Sequence, residues 1–281
     1  MSFVDIGINL MHPSFDKDRE EVIKNSLEAG VEICIITGTS VKTSQEAAAY
    51  INQPGIRYGE GISPFSKLYF TAGIHPHEAK TFDHESLKPL RDLVRKGAIA
   101  LGECGLDYNR DYTPRPLQRR CFEKQLELAA ELGMPLFLHE RDAFEDFSAM
   151  LKDFMTKVPG AVVHCFTGRE AELEKYLDMG CHIGITGWIC DERRGQHLGA
   201  LVKKIPSQRL MLETDAPFLY PRDLRDPRNL PGKKNGRNEP KYLPHIAAAA
   251  AFHQNKDTLQ LENETYENSL EFFSLKPKPQ I

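Results

Sequence analysis

Eight short apolar runs recur along this chain, at residues 3–9, 31–37, 68–74, 98–103, 135–139, 161–164, 182–186 and 209–215. Each is rich in Val, Ile, Leu or Phe and too short for a helix, so each reads as a buried strand. The stretches between them carry helical periodicity. The clearest is 118–132, where Phe122, Leu126, Ala129 and Leu132 form one apolar stripe, with Gly133 and Pro135 beyond it as stop signals. Residues 16–27 and 170–177 read the same way, and 257–273 reads as a closing helix that packs through Leu259, Leu261, Tyr266, Leu270 and Phe273. Strands alternating with helices, without linker or repeat, predict an α/β fold closed into a (β/α)8 TIM-type barrel. A doubly wound open sheet is the alternative. Residues 1–275 are expected to form one domain, and 276–281, with its Lys-Pro-Lys-Pro, a disordered tail.

Polar residues interrupt this pattern where the runs end. Glu103, His139, His164 and Asp215 close the fourth, fifth, sixth and eighth runs. In a closed parallel barrel those positions share one mouth, where the chemistry of such barrels is placed. A single histidine at a strand end is ordinarily a hydrogen-bonded structural residue. Two imidazoles and two carboxylates together are a divalent-metal ligand set. Glu103 is suited to bridging cations and His139 and His164 to holding one, with Asp215 as ligand and proton acceptor. A bound divalent ion lowers the pKa of water from about 15.7 toward about 7, so hydrolysis is the expected reaction class. His75 and His77 flank Pro76 beyond the third run. They suit contact with a substrate phosphate, proton donation to a leaving oxygen, or fixing their own loop.

Charge changes the picture locally. The chain carries a net −4, which excludes a broadly basic surface coating nucleic acid. Residues 222–241 nevertheless hold seven basic side chains, including Arg222 and Arg237, against three acidic ones. A charge run is ordinarily a solvated face. This one directly follows Asp215, where it would present a positive rim to an anionic substrate. Residues 105–120 interleave Tyr108 and Tyr112 with Arg110, Arg115, Arg119 and Arg120. That pattern suits a single strand, whose bases stack on rings while phosphates meet cations; it suits equally a polar loop over the barrel top. Trp188 and Phe218, at other strand ends, could stack on bases too, with core packing as their default.

With 41% hydrophobic and 27% charged residues, the chain can bury one large core. The N-terminal run lacks a basic leader and contains Asp5, and no apolar stretch approaches the roughly 18 residues of a membrane span. The six cysteines form no CxxC pair. Reduced thiols in a cytoplasmic protein are expected, with Cys104 and Cys165 turned away from the mouth by strand alternation. No protein partner and no membrane association is evident.

The segments AGIHPH, LGECGLDY, RRCFEKQLEL, PLFLHER, VVHCFTG, LMLETDAPFL and RNEPKYLPH, in this order and spacing, resemble the TatD-type metal-dependent deoxyribonucleases up to about residue 275. The resemblance implies a metal-dependent phosphodiesterase on DNA, with ligands at Glu103, His139, His164 and Asp215. It departs from most members in one place. Their first strand reads Asp-x-His-x-His, whereas Asp5, Gly7 and Asn9 stand here. The subgroup sharing this departure is associated with removing nucleotides from the 3′ end of single strands, so single-stranded or 3′-ended DNA is the expected substrate, with RNA as a further one and DNA repair or turnover as the role. One firmly held ion and a weaker second position follow from the missing imidazoles. Mg2+ is the first expectation for the ion, with Mn2+ and Zn2+ as alternatives. Tyr108, Arg110, Arg222 and Arg237, with His75 and His77, are the expected substrate contacts. Hydrolysis of a small cyclic amide or ester is the second reading, and a non-catalytic binding barrel the third.

Overall fold

A computed structural model describes residues 2–53, 56, 66–193, 195–224 and 236–275. The strands are β1 (Phe3–Ile8), β2 (Val31–Ile36), β3 (Lys67–Phe70), β4 (Leu101–Asp107), β5 (Leu136–Arg141), β6 (Ala161–Val163), β7 (His182–Ile185) and β8 (Leu210–Leu212). The helices are α1 (Arg19–Glu28), α2 (Val41–Ile51), α3 (Leu87–Arg95), α4 (Arg115–Leu132) and α5 (Phe144–Lys152). They continue as α6 (Glu170–Asp178), α7 (Gln196–Val202), α8 (Leu243–Gln254) and α9 (Thr258–Phe272). α4 ends as its sequence predicts, with Gly133 in the left-handed conformation at φ 63° and ψ 36°.

All neighbouring strands run parallel in chain order, as a three-stranded group β1 to β3 and a five-stranded group β4 to β8. Two parallel bridges join the groups into a cylinder, Ala72 with Leu101 and Ile8 with Ala216. The fold is therefore a closed (β/α)8 barrel, and the open sheet is excluded.

Strand alternation divides the core in two. Val4, Ile6, Ile33, Ile35, Phe137, Val162 and Met211 pack together inside the cylinder. Phe273 packs against them, with Tyr266 and Leu270 of α9 beside it, so the C-terminal helix covers the base of the barrel. The neighbouring strand positions Leu136, Leu138, Val163, Leu210 and Leu212 face outward into the larger layer between sheet and helices. One step of two residues up the inner face therefore leads from Phe137 to His139, from Val162 to His164 and from Met211 to Glu213. The apolar plug ends there and a polar layer begins.

The described basic rim is shorter than the charge run that predicts it. Residues 225–235, and the tail 276–281, lie outside the described residues. All six cysteines are free thiols, and among the described residues no helix is long and apolar enough to cross a membrane.

Candidate active site at the barrel mouth

Three imidazoles meet one carboxylate oxygen. Glu103 Oε1 lies 3.3 Å from His75 Nε2, 3.0 Å from His139 Nδ1 and 2.8 Å from His164 Nε2. Glu103 is buried, and burial alone would raise its carboxyl. The charges of His164 and His75 and the hydrogen bonds from His139 and His164 outweigh that and hold it well below the usual range. His164 is correspondingly held well above its ordinary value by Glu103 and Glu213, against its own burial. His75 goes the other way. Burial lowers it to about 4 despite Glu103, so it stays neutral at pH 7.

A second carboxylate stands beside the first. β4 does not end at Glu103, as the apolar run suggests, but continues to Asp107. Asp107 Oδ2 lies 2.7 Å from His77 Nε2 and 3.3 Å from His139 Nε2, while Oδ1 accepts the backbone N–H groups of Asn109 and Arg110 at 3.0 and 2.8 Å. These bonds hold its carboxyl far below the usual range although burial opposes them. His139 thus bridges the two carboxylates through its two ring nitrogens. Its signal in the sequence was the continuing alternation Glu103, Gly105, Asp107.

The first and eighth strands supply the opposite wall. Glu213, fully buried, lies 3.2 Å from His164 Nδ1 and accepts the Cys165 N–H at 2.5 Å. Its carboxylate fills the space above two glycines: a Cβ on Gly7 would stand 2.4 Å from Oε2, and one on Gly184 2.6 Å from Oε1. The absent side chain of the first strand is thus matched by a carboxylate from the eighth. Asp215 follows in the left-handed conformation at φ 53°, and its Oδ1 accepts the Asn9 amide at 2.8 Å. Burial, and behind it the charges of Glu103 and Glu213, push Asp215 up to about 7 against the pull of His164. Asp5 ties the same strands together, accepting the Thr214 N–H at 2.9 Å and its hydroxyl at 2.5 Å.

The donor set fits a divalent cation. His75, Glu103 and His139 present ligand atoms all within 4.8 Å of one another, and nitrogen and carboxylate donors together suit the first-row divalent ions as well as Mg2+. Above them opens a cavity of about 660 Å3, whose wall includes Asn9, Arg110, Tyr112, Trp188, Asp215 and Phe218. It continues past Arg110, Glu140, Arg141, Thr167 and Trp188 into a neighbouring groove of about 1030 Å3.

Several expectations change here. Phe218 is not a core residue: it lines the cavity, 49% exposed, its ring edge-on to His12 at 5.4 Å, whereas Trp188 packs partly buried against the core and lines the cavity as well. Cys165 also lines it, because the chain leaves β6 at Val163 and turns left-handed at Cys165 with φ 48°, which breaks the alternation assumed for it. Cys104 does pack outward. Tyr108 donates its hydroxyl to Asp146 at 2.6 Å and carries the Arg115 guanidinium 4.3 Å over its ring, placing it on the neighbouring groove. Arg110 lines both spaces. Arg222 lies outside both, beside Asp191 at 3.7 Å and Glu192 at 3.6 Å. Arg237 is also outside: its guanidinium grips Asp18 at 2.8 and 2.7 Å, Glu239 at 2.8 Å and the Ser14 carbonyl at 2.8 Å. A side chain so occupied ties loop to helix rather than facing a ligand.

The profile of the TatD related DNase family matches residues 4–274. The chain belongs to this TatD-related family. It is similar to the protein named 3′-5′ ssDNA/RNA exonuclease TatD of Klebsiella pneumoniae, at 44% identity over 272 residues, 96% of this chain and 97% of that one. Two solved structures share the family's architecture. A TatD family hydrolase from Entamoeba histolytica superposes with a TM-score of 0.82 at 25% identity over 97% of this chain and 98% of its own. The TatD homolog YJJV from Escherichia coli does so with 0.82 at 25% over 98% of each. The TatD-related barrel here thus carries its polar layer on and just beyond β4, β5, β6 and β8, with Gly7 in the first strand beneath Glu213.

Proposed function

We propose that the protein is a divalent-metal-dependent 3′-5′ exonuclease on single-stranded DNA, with RNA as a second substrate, acting in the cytoplasm in DNA repair or turnover. Its strongest support is the convergence of three imidazoles on Glu103 Oε1 at the floor of an open cleft. The 44% identical relative named as a 3′-5′ ssDNA/RNA exonuclease supports the substrate and polarity.

Glu103, His139, His164 and Asp215 would hold the ion, with Mg2+ favoured for a phosphate substrate and Mn2+ or Zn2+ able to replace it. Bound there, a divalent ion supplies an activated water at neutral pH and neutralises charge on the phosphate. The chain's own groups do the rest. Asp215, raised to about 7, is matched to accept a proton at neutral pH and pass it on. Asn9 keeps that carboxylate aimed, through its bond to Oδ1. Neutral His75 and the adjacent His77 face the cavity from the third strand's loop, where they can donate to the phosphate or the leaving oxygen. Asp107 and Glu213 orient the rings of His139 and His164 from behind.

The continuous cleft favours a polymer over a small cyclic amide or ester. Trp188, Tyr112 and Phe218 offer aromatic faces along its wall, and Arg110 stands where the two spaces meet. Stacking on such rings is worth about 1–3 kcal/mol per base and tolerates any sequence.

Digestion of 3′-labelled and 5′-labelled single-stranded DNA tests this directly. We expect mononucleotides from the 3′ end, no products with chelator, and none from His139→Ala. Cleavage that resists the chelator, or full activity in that variant, would overturn the assignment.

A further inference from the structure

A second group of metal-competent side chains lies outside the cleft. Cys190 closes the short turn after β7, Asp223 lies in the segment after β8, and His245 occupies the first turn of α8. Their ligand atoms all fall within 4.8 Å of one another. His245 Nε2 is 2.7 Å from Asp223 Oδ1, and the Cys190 sulfur faces the same pair from within 4.8 Å. None of the three lines the catalytic cavity or the groove beside it.

We propose that Cys190, Asp223 and His245 form a binding site for a single Zn2+ ion, separate from the catalytic centre, that staples together the rim of the barrel. One sulfur, one imidazole nitrogen and one carboxylate oxygen are zinc's own donor types, and the thiolate selects it over Mg2+ and Ca2+. Tetrahedral bonds of about 2.0–2.3 Å separate neighbouring donors by roughly 3.3–3.8 Å. The present spacing brackets that range, so small side-chain rotations admit the ion. Cys190 is only 5% exposed, whereas the Asp223 and His245 side chains are 53% and 31% exposed. The ion thus enters from solvent, and water completes the fourth position.

Charge and protons balance. Without metal, burial and the Asp223 charge push the Cys190 thiol up and keep it protonated. Zinc displaces that proton to solvent, and His245 takes the Nδ1–H tautomer so that Nε2 presents its lone pair. Thiolate, carboxylate and Zn2+ sum to zero, so the ion is not opposed by the positive end of α8. The site joins three segments that sequence keeps far apart. Two of them also carry cavity-lining residues, Trp188 two positions before Cys190 and Phe218 and Leu219 just before Asp223. Occupancy would therefore hold the aromatic wall of the cleft in place.

Cobalt provides the test, because a thiolate bound to Co2+ absorbs in the near ultraviolet and an oxygen and nitrogen site does not. The full-length protein, stripped with chelator and dialysed, is titrated with Co2+. We expect a thiolate-to-cobalt band that saturates within two equivalents, the catalytic centre taking up the other ion, and that is bleached by Zn2+. It should persist in His139→Ala and in Cys165→Ser, which changes the sulfur nearest the catalytic cavity, and vanish in Cys190→Ser. No band, or a band that survives Cys190→Ser, overturns the proposal. Should Cys190→Ser fail to fold by circular dichroism, His245→Gln retains the sulfur and must weaken the Co2+ titration at least tenfold; an unchanged titration overturns the proposal equally.

Discussion

Glu103 stands at the centre of the site, because one of its oxygens is the meeting point of three rings. Glu103→Gln should lower exonuclease turnover on the order of 10³-fold, about 4 kcal/mol of transition-state stabilisation, while circular dichroism stays unchanged. Glu103, His139, His164 and Asp215 were legible as residues that end apolar runs. Asp107 and Glu213 were less so: Asp107 lies past the charge that closes the fourth run and Glu213 lies inside the eighth, although the two-residue period of the inner face reaches both. Glu213 makes the glycines meaningful. A methyl group on Gly7 or Gly184 would stand 2.4 or 2.6 Å from its carboxylate. Gly7→Ala should therefore cost about 1–3 kcal/mol in a urea titration and lower turnover too, since the displaced carboxylate no longer orients His164. A variant with wild-type stability and rate would show that Glu213 does not hold that ring.

β4 is the element that makes the site, since it carries both Glu103 and Asp107. At Gly102 and Gly105 its backbone meets that of β5 too closely for any side chain. Gly105 has φ 147°, and a Cβ there would come within 1.8 Å of the His139 carbonyl oxygen. Gly105→Ala should thus cost more than about 4 kcal/mol and leave little soluble protein, measured as the recovered fraction after expression. The strand's extra length is masked in the sequence, because Gly102, Glu103, Gly105 and Asp107 interrupt its apolar pattern. Arg237 shows the opposite case, a residue whose charge pointed to substrate and whose contacts are structural. It binds the segment after β8 to Asp18, the cap of α1, and holds that carboxyl below its usual value through a direct hydrogen bond that outweighs burial. A depressed carboxyl stabilises the fold at pH above its ordinary value near about 4 and loses that contribution as pH falls through the lowered one. Arg237→Ala should lower stability by about 1–2 kcal/mol at pH 7, with the difference from wild type closing in acid; a pH-independent difference in denaturation midpoint would contradict the ion pair.

Closure of the cylinder is what turns scattered side chains into a centre. Removing the divalent ion should abolish nuclease activity and, at a free-ion concentration near 100 times the dissociation constant, lower stability by about 2.7 kcal/mol, read as a fall in melting temperature on the order of 5 °C. Equal melting temperatures with and without chelator would sink that expectation. The alternation of short apolar runs with helical stripes was enough to specify the strands, the barrel fold and the mouth where its polar residues gather, because periodicity and chain stops are local properties of the backbone. Which polar residues meet depended on contacts between segments far apart in the chain: Ile8 with Ala216 and Ala72 with Leu101 to close the barrel, Asn9 on Asp215, Glu213 over Gly7. Phe218 and Trp188 went to the cleft and Arg237 to an ion pair for the same reason. A side chain's partners are set by what packs against it in three dimensions, and residue type alone does not carry that information.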